Sequence, residues 1–261
     1  MAKIAYLSPQ EQFMFNAMRS GEIVDAEELP DTFPEIKSAR INKILSSLSS
    51  KGYIYRLKKG KYLVQAEASD GVVVEDPYKT ALAIFSGYIG FSSALRVYDM
   101  LDYEPFTVFV VTNGRSGIRK IGQYEFRAVA MGKRASGMTN RNGLYVSTVA
   151  KTFFDCFYRP QYGGGYSAIT KGLAEAKIDW DEFISYFDSE SGSLCQRTGY
   201  VLEMMKVTGT VPDSALEYFR KRVKNNTRLL PSGKASGKYS SKWKVMDNLG
   251  EKNIMSWWHH G

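Results

Sequence analysis

Eight basic residues and no acidic one occur between positions 37 and 61, directly after an acidic stretch at residues 22–35. A cluster of one charge sign attracts polyanions such as nucleic acids, because its cations replace condensed counterions. A basic turn that only keeps the surface soluble would have the same composition, so that alternative stays open here. The eight residues are Lys37, Arg40, Lys43, Lys51, Arg56, Lys58, Lys59 and Lys61.

The net charge of the 261-residue chain, +8, is concentrated at its two ends. Residues 1–66 carry 10 Lys and Arg against 7 Asp and Glu, residues 67–219 carry 15 against 18, and residues 220–261 carry 10 against 2. The final segment could be a second nucleic-acid contact or a docking surface for an acidic partner, since Tyr239 and Trp243 are interleaved with its cations. It could equally be a solvated edge with Trp243 in the core.

Residue types that commonly carry catalysis form no recognisable pattern. The only histidines are His259 and His260, and Cys156 and Cys195 stand apart without a second type of metal ligand, so no zinc site or disulfide is predicted. The glycine run in QYGGGYSAITKG at 161–172 lacks the Gly-Lys-Ser/Thr ending of a phosphate-binding loop, and predicts a helix start with close backbone packing. We therefore expect no enzyme activity, no cofactor and no bound metal.

One acidic string, LPDTFPEIK, superficially matches magnesium-dependent nucleases. Its members Asp31, Glu35 and Lys37 would have to lie on neighbouring strands around the metal, whereas they fall between two predicted helices. A nucleic-acid-processing enzyme whose site lies in the acidic middle of the chain, with Asp155 or Glu125 as candidate groups, remains the alternative class.

Four elements are predicted in the first 66 residues. SPQE at 8–11 predicts a capped helix start, a short helix is expected at 25–29, and apolar residues with helical spacing predict a third helix at 36–50. Two alternating runs on either side of a lysine-rich turn predict a β-hairpin at 53–64. This order predicts a winged helix-turn-helix domain at residues 1–66.

The third helix and the hairpin would make different kinds of contact with DNA. Helical periodicity places Ala39, Asn42, Lys43 and Ser46 opposite the apolar stripe. In a winged helix this element enters the major groove, where Asn can read adenine and Lys can read guanine. The hairpin cations would bind phosphates. A winged helix that binds only protein is the alternative.

The rest of the chain predicts a larger mixed domain. Residues 67–76 are predicted to be a linker and residues 77–261 a C-terminal domain, so the class is α+β, without regular strand-helix alternation. The chain has no run near the roughly 20 apolar residues of a membrane helix and begins without a signal-peptide pattern, so we expect a cytoplasmic protein. Helices are predicted at 77–85, 92–101, 147–158, 164–176, 179–187, 193–206 and 213–223, and strands at 106–112, 124–131 and 143–146, with short strand-like pieces at the end.

The order and spacing of these segments resemble the AbiEi antitoxin and transcriptional-regulator component of type IV abortive-infection toxin-antitoxin systems of bacteria or archaea. The resemblance extends to about residue 245. The segments that carry it are KGYIYRLKKGKYLV (51–64), GYIGFSSALRVYDMLDY (87–103), FTVFVVT (106–112), YVSTVAKTFFDCFYRPQYGGGYSAITKGL (145–173) and LCQRTGYVLEMM (194–205).

The resemblance implies a protein that binds inverted repeats in its own promoter, represses its operon, and counteracts a nucleotidyltransferase-like toxin through its C-terminal domain. It implies no catalytic residue. Asp155 corresponds to a recurrent acid of the family, for which we expect a structural role as a helix cap or an arginine partner. The implied partner is double-stranded DNA, and the implied contact residues are Ser38, Arg40, Asn42 and Lys43 on the third helix and Arg56, Lys58, Lys59 and Lys61 on the hairpin.

Overall fold

The computed structural model describes residues 6–19, 21–68 and 71–259, so His260 and two positions of the predicted linker lie outside the described part. The described part is a mixed α+β structure, which confirms the predicted class. It divides into two compact units, one of residues 1–87 with 106–132 and the other of residues 88–105 with 133–261. The first unit therefore extends beyond the boundary predicted at residues 67–76.

The described helices are α1 (Pro9–Asn16), α2 (Leu29–Thr32), α3 (Ser38–Ser50), α4 (Pro77–Ile84), α5 (Phe91–Val97), α6 (Val149–Tyr158), α7 (Gly165–Glu175), α8 (Trp180–Ser185), α9 (Gly192–Met204), α10 (Asp213–Arg220), α11 (Glu251–Ile254) and α12 (Ser256–His259). The described strands are β1 (Ile23–Asp25), β2 (Ile54–Lys58), β3 (Lys61–Val64), β4 (Tyr88–Ile89), β5 (Thr107–Thr112), β6 (Gly117–Ile121), β7 (Tyr124–Ala130), β8 (Met138–Arg141), β9 (Leu144–Ser147), β10 (Thr227–Arg228), β11 (Lys238–Ser240) and β12 (Val245–Asp247).

The first unit begins with three helices and an antiparallel sheet in the order β1-β3-β2. The predicted hairpin is confirmed: Lys58 pairs with Lys61 across a turn in which Gly60 has a φ of +80°. The helix predicted at 25–29 is wrong, because residues 23–25 pair with β3 and α2 begins only at Leu29. Backbone pairing with a strand nearly 40 residues later outweighs the local helix signal.

The predicted start of α1 is confirmed by its cap. The Ser8 hydroxyl accepts a hydrogen bond from the backbone N–H of Glu11, and a Glu11 carboxylate oxygen accepts one from the backbone N–H of Ser8. The same oxygen lies 2.7 Å from Nζ of Lys51, the residue that ends α3. This contact connects α1 to the C-terminal end of α3. The Lys51 ammonium is the main cause of a lowered pKa of Glu11, about 2.

A single apolar core holds the N-terminal helices to the sheet. The predicted stripe on α3 is confirmed, since its four apolar side chains are no more than 2% exposed. They pack with residues of α1, α2, β2 and β3 in one cluster. The stripe consists of Ile41, Ile44, Leu45 and Leu48, and the residues of the cluster that surround it include Met14, Leu29, Phe33, Ile36, Ile54 and Val64.

The remainder of the first unit contains α4 and three strands. β5 pairs in parallel with β7, as the predicted neighbours, and β6 pairs antiparallel with β7. Strand β6, with the sequence GIRKI, was not predicted. The predicted linker is also held in place, since the side-chain amide of Gln65 exchanges hydrogen bonds with both backbone groups of Val73.

The second unit is mainly helical. Its predicted helices are confirmed within a few residues at each end, except that α5 stops at Val97. Strands β4 and β9 pair in parallel, β8 pairs antiparallel with β9, and β10, β12 and β11 form a small mixed sheet. Strand β8 and helices α11 and α12 were not predicted. Within the described residues, no helix combines the length and apolar character that crossing a membrane requires.

Replacing Glu11 with Gln tests the link between α1 and α3. Glutamine keeps the capping geometry but removes the charge that faces Lys51, so we expect the free energy of unfolding to fall by about 1 kcal/mol at neutral pH. The pKa of Glu11 is depressed in the folded chain, so the wild-type advantage is complete above 4.5, its ordinary value, and is lost as the pH falls toward about 2.

Urea unfolding of both proteins, followed by circular dichroism at neutral pH and midway between those two values, provides the measurement. An unchanged difference in stability between the two pH values would contradict the assigned ion pair.

Candidate nucleic-acid interface

The four helix residues predicted to contact DNA are all exposed on α3. Asn42 and Lys43 lie opposite the buried stripe, and Ser38 and Arg40 flank that face, so the packing of the stripe determines which way they point. Nε of Arg40 donates a 2.9 Å hydrogen bond to the side-chain oxygen of Gln10 on α1, which orients its guanidinium along the helix surface. The four are Ser38, Arg40, Asn42 and Lys43.

Two of the four hairpin cations are exposed and carry uncompensated charge. Arg56 and Lys59 make no ion pair with any residue that the structure describes. Lys59 stands at the tip of the hairpin, before Gly60, and Arg56 lies on the outer strand β2. A β-bulge between Arg56 and Lys58 shifts the register there, with Leu57 fully buried beneath it.

Lys61 differs from these two because its charge is paired. Its Nζ lies 3.0 Å from a carboxylate oxygen of Asp25 on the neighbouring strand β1. The backbone N–H of Glu27 and then the Lys61 ammonium hold the pKa of Asp25 below its usual range, so Asp25 stays ionised at neutral pH. A phosphate group would have to compete with this carboxylate for Lys61.

Lys58 is half-buried rather than free. Its Nζ donates a 3.4 Å hydrogen bond to the carbonyl of Ile84, the last residue of α4, where the negative end of the helix dipole favours a cation. Burial, and secondarily the charge of Lys61, lowers the pKa of Lys58. From the sequence alone, the four hairpin cations are equivalent. In the structure, Lys58 and Lys61 contact other groups of the protein, whereas Arg56 and Lys59 make no ion pair with a described residue.

Arg119 lies outside the predicted domain of residues 1–66 but contacts the hairpin. Its Nη2 donates a 2.9 Å hydrogen bond to the backbone carbonyl of Arg56. The half-buried Arg119 therefore braces the strand that carries Arg56 and adds a cation beside it. The apolar residues of GIRKI do not alternate with its cations, so the local pattern gave no strand signal here.

The basic C-terminal segment packs around a buried tryptophan, while most of its cations are exposed. Trp243 is fully buried and its indole N–H donates to Glu203, which also pairs with Lys242, so the expectation that Trp243 lies in the core is confirmed. The Arg222 guanidinium pairs with Asp188 at 3.1 Å and stacks on a tyrosine ring. Several lysines of this segment remain exposed.

A second candidate cluster centres on two fully buried charges of α6. Lys151 and Asp155 pair one helical turn apart, with both side chains 0% exposed. The ammonium lies 4.8 Å from the ring centre of Phe154 and 5.4 Å from that of Tyr186. Burial lowers the pKa of Lys151 and raises the pKa of Asp155, while their mutual attraction opposes both shifts.

This buried pair explains Asp155 without catalysis. Asp155 lies inside α6 and pairs with a lysine, which is a structural role of the kind expected, although the partner is neither a helix end nor an arginine. Lys151 and Asp155 are four residues apart, a spacing that brings two side chains onto the same face of a helix. Because both side chains are sealed from solvent, neither can contact a dissolved substrate in this conformation.

The glycine run and the cysteines are structural, as predicted. Helix α7 begins at Gly165, and a Cβ on Gly163 would lie 2.9 Å from the side chain of Cys156. Cys156 and Cys195 are both buried free thiols. Close packing of backbone against a buried side chain is therefore the reason for glycine at position 163.

No family model and no curated protein matches this chain. Among solved structures, the chain is similar to the crystal structure of the RV2827C protein from Mycobacterium tuberculosis, with a TM-score of 0.66 and 14% sequence identity. The match covers 94% of both chains. The likeness at this identity is one of fold, and it runs across nearly the whole length.

Removing only the lysine of the buried pair tests its structural role. We expect Lys151→Met to lower the free energy of unfolding by about 3–5 kcal/mol, because it leaves the Asp155 carboxylate buried without a counter-charge. Its cost should grow with pH, since an Asp155 with a raised pKa is tolerated best when it is protonated.

The double variant Lys151→Met/Asp155→Leu should recover most of that loss, because an apolar pair has no charge to desolvate. Chemical denaturation across a pH series compares the three proteins. Equal destabilisation by the single and double variants would show that packing, and not charge pairing, is what the pair contributes.

Proposed function

We propose that this chain is a DNA-binding transcriptional regulator, with residues 1–66 as a winged helix-turn-helix domain, and that it acts as the antitoxin of a type IV toxin-antitoxin system. In this proposal it represses its own operon and counteracts a nucleotidyltransferase-like toxin. The observation that carries the DNA-binding part is the exposed polar face of α3, which lies in a stretch of eight cations without an acid.

The order of elements supports the domain assignment. Three helices precede a hairpin, and α3 packs one face into the core while Asn42 and Lys43 stay exposed on the other. An α-helix with this arrangement fits the major groove, where Asn contacts adenine bidentately and Lys contacts guanine. Arg40, held by Gln10 on α1, is suited to a phosphate or a base near the start of the helix.

The hairpin supplies the sequence-independent part of the proposed binding. Among the hairpin cations, Arg56 and Lys59 have no ion-pair partner in the described part of the chain, so they would neutralise phosphates and release counterions. Lys61 would contribute less because Asp25 already neutralises much of its charge. Arg119 would stabilise the hairpin through the carbonyl of Arg56.

The antitoxin part of the proposal rests on the resemblance of the segments at 51–64, 87–112, 145–173 and 194–205 to AbiEi proteins. An adjacent gene that encodes a nucleotidyltransferase-like protein would supply the toxin. Co-expression tests this directly: growth arrest by that neighbour should be relieved by the full chain. Arrest that persists at high levels of this protein would contradict the antitoxin function while leaving DNA binding intact.

Salt dependence of DNA binding tests the hairpin. We expect Arg56→Ala/Lys59→Ala to reduce the slope of log affinity against log salt by about two, because two phosphate contacts are lost. Lys61→Ala should change it by less than either single substitution, since its charge is paired with Asp25. Fluorescence anisotropy with the upstream DNA of its own gene provides the measurement.

The matched control removes two exposed lysines of the C-terminal segment, Lys221→Ala/Lys234→Ala. This control should leave the slope unchanged. A smaller slope for the control variant would indicate that the C-terminal segment, and not the hairpin, contacts DNA. A wild-type chain that binds no DNA at low salt would contradict the regulator function and favour a protein-interaction module.

Base preference tests α3 separately. We expect Asn42→Ala to cost about 1–3 kcal/mol at one operator position and to relax discrimination there, because a bidentate contact to a base edge is removed. Lys59→Ala should weaken all operator variants by a similar factor. Competition binding with single-base variants distinguishes these outcomes, and uniform weakening by Asn42→Ala would contradict base readout by this residue.

A further inference from the structure

The second unit contains a cavity of about 860 Å³ that the proposed function does not use. Its volume falls within the roughly 300–1,000 Å³ typical of small-molecule sites. Most of its lining is apolar or aromatic, with accessible walls that include Tyr158, Leu230 and Leu249. Such a lining suits a ligand with an apolar, planar body.

The only charged residues among those that line this cavity are two arginines, Arg159 and Arg197. Arg159 is exposed at the rim and lies 5.4 Å from the ring centre of Tyr158. Arg197, on α9, is half-buried and makes no hydrogen bond or ion pair with any described residue. A half-buried guanidinium without a counter-charge favours an anionic ligand, since five N–H donors remain to be satisfied.

Tyr166 provides a second unsatisfied polar group in the cavity. Its side chain is only 3% exposed, it lines the cavity, and its hydroxyl has no hydrogen-bond partner in the described part of the chain. Burial raises the pKa of Tyr166 to about 12, against the opposing charge of the nearby Arg197, so the hydroxyl remains a donor at neutral pH.

The carboxylate of Asp247 is already engaged by other donors. Asp247 contributes to the raised pKa of Tyr166, which places it in the neighbourhood. Its oxygens already accept hydrogen bonds from the Tyr200 hydroxyl at 2.9 Å and from the backbone N–H groups of Leu249 and Gly250 at 3.0 and 2.8 Å. Arg197 and Tyr166 are therefore left to an external acceptor.

We propose that this cavity binds a nucleoside phosphate. The Arg197 guanidinium and the Tyr166 hydroxyl donate to the phosphate, and the half-buried walls at Tyr158, Leu230 and Leu249 contact the base. A free phosphate would leave these walls unused, and a neutral nucleoside would leave the guanidinium unpaired. The site does not depend on DNA binding and would exist whether or not the chain is a regulator.

Calorimetric titration of the full chain with AMP, adenosine and inorganic phosphate tests the site. We expect saturable AMP binding that is tighter than binding of either component. Arg197→Met should weaken AMP binding by about tenfold or more, and Tyr166→Phe, which removes one oxygen, by about fivefold. The control Arg115→Met makes the same substitution at an exposed position of the first unit and should have no effect.

Circular dichroism and the melting temperature of each variant separate loss of binding from loss of folding, and Tyr166→Phe keeps the ring that packs against Phe157. The proposal is overturned by any of three results: no saturable AMP binding, equal affinity for AMP and adenosine, or AMP affinity unaffected by both cavity substitutions.

Discussion

Burial of one apolar stripe on α3 is the constraint on which the N-terminal region depends. Ile41, Ile44, Leu45 and Leu48 enter the same core as residues of α1, α2 and the sheet, and this fixes the rotation of α3 about its axis. Full burial of such side chains contributes roughly 1.5–3 kcal/mol each, far more than an exposed charge contributes. The polar face that we propose as the DNA-reading surface is thus positioned by apolar packing on the opposite side.

The cations of the N-terminal region differ in whether an acidic side chain lies beside them. Lys51 and Lys61 face Glu11 and Asp25, whereas Arg56 and Lys59 face no acid among the described residues. The first pair holds elements together and the second pair remains available to a polyanion. Counting lysines and arginines overestimates the free charge, because carboxylates on distant elements have already neutralised part of it.

The second unit shows the same contrast between satisfied and unsatisfied charge. Lys151 and Asp155 are sealed inside the unit and pair with each other, and burial accounts for their shifted pKa values without any reaction. Arg197, half-buried in the wall of a cavity, has no such partner among the described residues. An unpaired guanidinium in a cavity is the better indicator of a ligand than a strongly perturbed but paired group.

Features set by near neighbours in the chain were predictable from sequence alone: the capping box at Ser8, the stripe and exposed face of α3, the hairpin turn before Gly60, and most helices of the second unit. These depend on backbone geometry and on residues within about one turn. Only the tertiary structure decided that residues 23–25 form a strand, that Asp25 engages Lys61, and that Arg119 braces Arg56. Each of these contacts joins residues at least 36 positions apart, and local spacing carries no information about which distant groups the folded core brings within hydrogen-bond reach.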